Sequence, residues 1–322
     1  MDLFESLKSK IDGKNLTIVF PEGEEPRILG AATRLKKENI LQPILIGNET
    51  EINKIADEKS FDLTGIEIID PKNYADFDTM VDKFVERRKG KNTKEQAETM
   101  LLDSNYFGTM LVYLDKADGM VSGAIHSTGD TVRPALQIVK TAPGNSRISG
   151  SFIVQKGDER YLFADCAINI NPNAQELAEI AVQTANNAQL FDIDPKVAML
   201  SFSTKGSAKS DEVTKVAQAT KIAQELAPDL PLDGELQFDA AFVPTVAAQK
   251  APGSNVAGHA NVFVFPELQS GNIGVKIAQR FGGFEAIGPV LQGLAKPISD
   301  LSRGCVEEDV YKSAILTAAL AL

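Results

Sequence analysis

The chain has 322 residues, 43% hydrophobic and 24% charged, and 33 basic against 44 acidic residues leave a formal net charge of −11. At about 100–200 residues per domain that length predicts roughly two domains, each able to bury a core without disulfides or a structural metal. No apolar run approaches the about 20 residues of a spanning helix, so no membrane partner is expected, and the negative balance excludes non-specific attraction to nucleic acid.

In chain order, residues 1–12 (MDLFESLKSKID) are polar and amphipathic, without the apolar core and cleavage site of a signal peptide, and a cytoplasmic location is expected. Residues 16–20 (LTIVF), 43–46 (PILI) and 66–69 (IEII) are short apolar runs that predict buried strands. Between them, residues 27–37 put Ile28, Ala31, Ala32 and Leu35 on one helical face. A strand-like run at 118–121 precedes a helix with the predicted apolar face Val132, Leu136 and Val139. Residues 142–145 (APGN) are turn chemistry. They are followed by two strand-like runs, 148–155 (ISGSFIVQ) and 160–165 (RYLFAD), around a Lys156-Gly157-Asp158-Glu159 hairpin turn. Residues 174–190 repeat Leu177, Ile180, Ala181, Thr184 and Ala188 at helical spacing, and 197–200 (VAML) and 262–265 (VFVF) are further strands. The Gly- and Pro-rich stretch 286–300 is expected to cross back, and the final helix, 306–322, to rejoin the first domain. Alternation of strands and helices predicts an α/β fold with a mainly parallel sheet covered on both faces. The expected domains are residues 1–145 plus 300–322, and residues 146–299.

Three segments carry candidate chemistry. SGAIHSTGDTVR (122–133) places small and hydroxyl residues where a strand gives way to a helix. Such a junction presents backbone N–H groups and hydroxyls to an anion, or is an ordinary helix start capped by Asp130. Arg133, in the expected first turn, is unfavourable with the helix dipole unless an anion shares the site. The segment matches neither a P-loop nor GxGxxG, which weighs against a nucleoside triphosphatase or a dinucleotide dehydrogenase. The second segment is DLSRGC (300–305) with Asp309 beyond it: Arg303 suits phosphate, while Asp309 is either a general base or an acid favoured in the first turn of the last helix. The third, ERRKGK (86–91), is either the solvated end of a helix or a landing strip for a phosphorylated cofactor tail. Cys166 and Cys305 lack CxxC spacing, His126 and His259 lack partners of ligand spacing, and no metal is expected. For Cys166, packing is favoured over nucleophilic catalysis, because no base adjoins it in sequence.

The segments VFPEGEEPR (19–27), ERRKGKNT (86–93), DGMVSGAIHSTGDTVRPALQIVKT (118–141), LFADCAINI (162–170), FPELQSGNIGVKIAQR (265–280) and DLSRGC occur in an order that resembles the phosphate acetyltransferase (phosphotransacetylase) family across the whole chain. That resemblance implies reversible acetyl transfer between acetyl phosphate and coenzyme A. Coenzyme A is then a substrate and no cofactor is permanently bound. It also implies a fold similar to the isocitrate/isopropylmalate dehydrogenases, with two three-layer α/β/α domains and an active cleft between them, and a homodimer. Residue by residue, Arg303 resembles the arginine that binds acetyl phosphate and steadies the acyl oxygen, Ser302 the serine that helps place the thiol, and Asp309 the proposed base. Arg87 and Arg133 match arginines implicated in coenzyme A binding, and Ser127 and Thr128 are expected in the phosphate site. Direct thiolate attack in a ternary complex is expected, without a covalent acyl-enzyme. Rival readings are transfer of butyryl or another short acyl group, and a non-catalytic acetyl-CoA-binding module. A decarboxylating dehydrogenase ranks third, for want of metal-binding aspartates near the chain's end.

Overall fold

A computed structural model describes residues 2–322 and divides the chain into two α/β units, one of Phe4–Pro143 with Leu294–Leu322, the other containing Gly144–Gly293. In chain order the first unit runs through α1 (Leu3–Ile11), β1 (Thr17–Phe20), α2 (Pro26–Lys37), β2 (Gln42–Ile46), α3 (Glu49–Lys59), β3 (Glu67–Ile69), α4 (Phe77–Arg88), α5 (Lys94–Leu101), α6 (Ser104–Tyr113), β4 (Gly119–Ser122) and α7 (Thr128–Ile138). The second contains β5 (Ser149–Lys156), β6 (Glu159–Ala164), α8 (Ala174–Ala188), β7 (Val197–Leu200), α9 (Asp211–Leu226), β8 (Leu232–Leu236), α10 (Phe238–Phe242), α11 (Pro244–Lys250), β9 (Val262–Val264), α12 (Leu268–Arg280) and β10 (Glu285–Gln292). The chain then returns to the first unit for β11 (Ile298–Asp300) and α13 (Glu307–Leu320).

The first sheet has the order β11-β4-β1-β2-β3, and all its pairings are parallel. Because side chains alternate along a strand, Val19, Ile44, Ile46, Met120 and Ile298 face a core with Phe84, Phe107, Met110 and Ile138 from α4, α6 and α7. Ile18, Phe20 and Leu45, on the opposite phase, are also fully buried, and α2 and α13 pack on this sheet too. Burying such a side chain contributes roughly 1.5–3 kcal/mol, more than strand propensity does, so two-sided packing fixes the strands. The second sheet has the order β10-β5-β6-β9-β7-β8; its β10–β5 and β5–β6 pairings are antiparallel and the rest parallel.

Four expectations need correction. Residues 286–300 are not a simple crossing: 285–292 form edge strand β10, which tolerates Gly288-Pro289 at a register shift, while 298–300 pair with β4 in the first sheet. The return to the first unit therefore falls at Gly293/Leu294, six residues before the expected boundary. On α7 the buried positions are Thr131, Pro134, Ala135 and Ile138; of the expected face, Val139 at the C-cap is buried and Val132 half-buried, but Leu136 is 43% exposed and does not belong to it. Finally, Ser127 is the N-cap and Asp130 the third helical residue of a capping box, which puts Arg133 in the second turn, beyond the strongest part of the dipole.

Candidate active site

Strands β11, β4 and β1 are adjacent and parallel, so the loops that follow them emerge on one edge of the first sheet. In open parallel sheets that carboxyl edge is where ligands bind. The three loops are stitched together by residues far apart in sequence. Glu22, after β1, is 3% exposed, and its carboxylate accepts from four successive backbone N–H groups, those of Gly123, Ala124, Ile125 and His126, at 2.8–3.1 Å. The His126 Nδ1 lies 2.7 Å from the same carboxylate. The amides read in sequence as an anion cradle are therefore occupied by the protein's own carboxylate. His126, read as a polar loop residue, has a carboxylate partner. Arg27 is the second stitch: Nη1 donates to the carbonyls of Arg303 (3.0 Å) and Cys305 (2.8 Å), and Nη2 to that of Ala124 (3.0 Å). Its Nε is held by Glu25 at 2.7 Å, and that bond holds the Glu25 carboxyl below its usual range.

At the α7 N-terminus Ser127 accepts from the backbone N–H of Asp130, and its hydroxyl donates to the Asp130 carboxylate at 2.7 Å. The first N–H groups of a helix have no intrahelical partner, which keeps an anion-binding capacity here despite Glu22. Thr128 Oγ1 donates to Asp300 Oδ2 at 2.6 Å, joining α7 to the end of β11. Asp300 is 6% exposed; burial pushes its carboxyl above the usual range, the nearby Thr128 and Thr131 hydroxyls pull it partly back, and Glu22 adds to the rise.

Arg303 stands exposed on the loop after β11, and among the described residues its guanidinium has neither a carboxylate nor a hydrogen-bond partner. Ser302 closes the same turn, accepting the N–H of Gly304 on Oγ and that of Cys305 on its carbonyl. Asp309 lies in the first turn of α13, where Oδ2 accepts the N–H of Val306 at 2.9 Å. It thus serves the helix end, with its second oxygen left for other contacts.

Arg87 lies at the other end of α7. Its guanidinium donates to the carbonyls of Ile138 (2.6 Å) and Val139 (3.0 Å) and packs 4.7 Å from the centre of the Tyr113 ring. Arg87 and Arg88 form the last turn of α4, the helix-end position read in sequence, and Arg87 in addition caps the C-terminus of α7, where a cation is favoured. Arg87, burial, Lys89, Lys91 and Arg88 together hold the Lys140 ammonium below the usual lysine range, the mark of cations crowded without enough anions. At 1.5 Å per residue, 11-residue α7 separates this cluster from Ser127 by about 16 Å, with exposed Arg133 between.

Cys166 is fully buried in the second unit, and burial raises its thiol well above the usual range, so it is not a thiolate at neutral pH. Among the described residues no group of three or more His, Cys, Asp or Glu could hold a metal ion, and no helix is long and apolar enough to cross a membrane. Sequence reasoning missed Glu22, Arg27 and Asp300 as site residues. Their only signal was membership of the quoted motifs, since their partners lie 97–278 residues away.

Comparison with known proteins agrees along the whole chain. The family model described as phosphate acetyl/butaryl transferase matches residues 2–318. The chain is 62% identical over 321 residues to the phosphate acetyltransferase of Bacillus subtilis (strain 168), covering 100% of this chain and 99% of that protein. It is similar to the crystal structure of a phosphotransacetylase from Streptococcus pyogenes, with a TM-score of 0.98 and 64% identity over 99% of this chain and 98% of that one. A phosphotransacetylase (EutD) from Staphylococcus aureus gives a TM-score of 0.96 at 59% identity, covering 100% of this chain and 98% of that one.

Proposed function

The chain belongs to the phosphate acetyl/butaryl transferase family, and from that premise we propose that it is a phosphate acetyltransferase. It moves an acetyl group reversibly between acetyl phosphate and coenzyme A, in acetate metabolism. The observation that carries this reading is the full-length similarity to phosphate acetyltransferases, together with an uncompensated Arg303 at the carboxyl edge of a parallel sheet.

In this account Arg303 binds acetyl phosphate and stabilises the oxyanion that forms when the thiolate attacks the acetyl carbonyl. Ser302 helps place the thiol. Asp309 takes the thiol proton through the oxygen that does not cap Val306. Ser127 and Thr128, at the α7 N-terminus, hold the phosphate. Arg133 and the Arg87 cluster receive the phosphates of coenzyme A, and the about 16 Å from that cluster to Ser127 suits an extended coenzyme with its thiol at the Arg303 end. Transfer is direct, in a ternary complex, and no cofactor is permanently bound. The buried Cys166 supports a route without a cysteine acyl-enzyme. We also read the two units as the isocitrate/isopropylmalate dehydrogenase-like fold and the protein as a cytoplasmic homodimer. The second unit offers an apolar face for that contact: the exposed Phe238, Phe242 and Ile277 line an aromatic hollow of about 770 Å³, and Phe281, at the end of α12, is 92% exposed.

Substrate scope tests the reading. With coenzyme A saturating, acetyl phosphate is expected to give a kcat/KM at least tenfold above butyryl phosphate, since each added methylene is worth about 1–3 kcal/mol. A preference for butyryl phosphate would reassign the acyl group. A folded protein that turns over neither, yet binds acetyl-CoA, would be a regulatory module.

A further inference from the structure

A threonine hydroxyl has one proton. In Thr128 that proton lies on Asp300 Oδ2, 2.6 Å away, so the hydroxyl can turn only lone pairs toward an anion at the α7 N-terminus. A phosphate oxygen meets repulsion there. The relation inverts when Asp300 carries a proton: the carboxyl O–H then donates to Thr128, and the Thr128 proton is released to the anion.

Asp300 is built for this exchange. It is 6% exposed, and its Oδ1 has no hydrogen-bond partner. The backbone closes over it, since a Cβ on Gly123 would stand 2.6 Å from that oxygen. The groups facing it are few. From α7 come the hydroxyls of Thr128 and Thr131; β4 presents the Gly123 backbone; α13 turns Thr317 to Ser299 instead; and the charge that reaches it is that of Glu22, at the end of β1. Among the described residues no lysine or arginine pairs with it. Burial beside a second carboxylate favours the protonated form.

We propose that Asp300 is a proton-linked positioning residue: an anion engages Thr128 only as the Asp300 carboxyl takes up one proton. This rests on the reading of Ser127 and Thr128 as the phosphate subsite. The proton comes from solvent, binds Asp300 Oδ2 and returns to solvent when the anion leaves. Above the pKa of Asp300, phosphate-end affinity therefore falls as pH rises.

The test is calorimetric titration of the full chain with sulfate, a dianion that does not itself titrate near neutral pH, in two buffers of different ionisation enthalpy. Wild type is expected to take up about one proton per sulfate bound on the alkaline side of the Asp300 pKa, with Kd rising about tenfold per pH unit. Asp300→Asn, whose amide donates permanently to Thr128, should bind sulfate without proton uptake and with a flat Kd. Thr128→Val should bind more weakly at acid pH and also lose the slope, and it keeps the test open if the asparagine variant does not fold. Binding by wild type without proton uptake, or a slope that survives in either variant, overturns the proposal. Absence of sulfate binding overturns it together with the phosphate subsite. Normal proton uptake in a protein that makes no acetyl-CoA leaves it standing and counts against the acetyltransferase reading alone.

Discussion

Glu22 shows how much of the site is scaffold. A carboxylate buried under four N–H donors is stable only while every bond is made, and Glu22→Gln places an amide N–H against a donor. The expected loss is about 3 kcal/mol in denaturant-unfolding free energy, with the 123–127 loop loosened. Asp300 should show the opposite sign. Its folded pKa is raised above its unfolded value, so its contribution to stability is fully present below the ordinary carboxylate range and is lost as pH rises through the raised value. Asp300→Asn is thus expected to unfold at a higher temperature than wild type at neutral pH, with the advantage vanishing in acid. Cys166 needs no thiolate, and Cys166→Ala should keep kcat within about twofold, in a fold weakened by about 1–2 kcal/mol through the small cavity left behind. A folded but inactive Cys166→Ala would reinstate nucleophilic catalysis.

At the scale of elements, apolar runs made β1, β2, β4, β7 and β9 legible, because strands buried on both faces carry few polar residues, whereas edge strand β3 was legible from Ile66, Ile68 and Ile69 despite the exposed Glu67. Strand β8 (LDGEL) escaped notice because Asp233 and Glu235 interrupt the run; both are buried and satisfied, Glu235 by Ser203 and Gly206. Strands β10 and β11 were hidden by Gly288-Pro289 and by a length of three residues. The misassignment of Leu136 to the buried face of α7 had a similar cause. Thr131 and Pro134 are buried there, so hydrophobic spacing alone found Val139 but put Leu136 on the stripe in their place. Gly123 marks where β4 must release the chain. It sits at φ +112°, and a Cβ would stand 2.7 Å from the Leu301 backbone, so Gly123→Ala is expected to cost about 2–4 kcal/mol by chemical denaturation.

The whole molecule is acidic, yet its first unit concentrates cations at the C-terminal end of α7. Such a local field acts on a polyanionic substrate and is screened by salt. The KM for coenzyme A should rise with ionic strength, and the combined Lys89→Ala, Lys91→Ala variant should start higher and respond less, with an unchanged Tm. Arg87→Ala should lower Tm as well, since it also removes the bonds to Ile138 and Val139. At this scale the alternation of strands and helices revealed the α/β class, and the quoted motifs revealed the family. The stitching of three loops by Glu22, Arg27 and Asp300 was not legible, because no local pattern encodes contacts across 97–278 residues.

The proposed function stands on Arg303 serving acetyl transfer between acetyl phosphate and coenzyme A. The most direct measurement follows thioester absorbance with the purified full chain, acetyl phosphate and coenzyme A, wild type beside Arg303→Ala. Wild type is expected to form acetyl-CoA rapidly, and the variant to lose at least about 10²-fold in kcat/KM with an unchanged unfolding temperature. A folded wild type that forms no acetyl-CoA, or an Arg303→Ala variant as active as wild type, would contradict it.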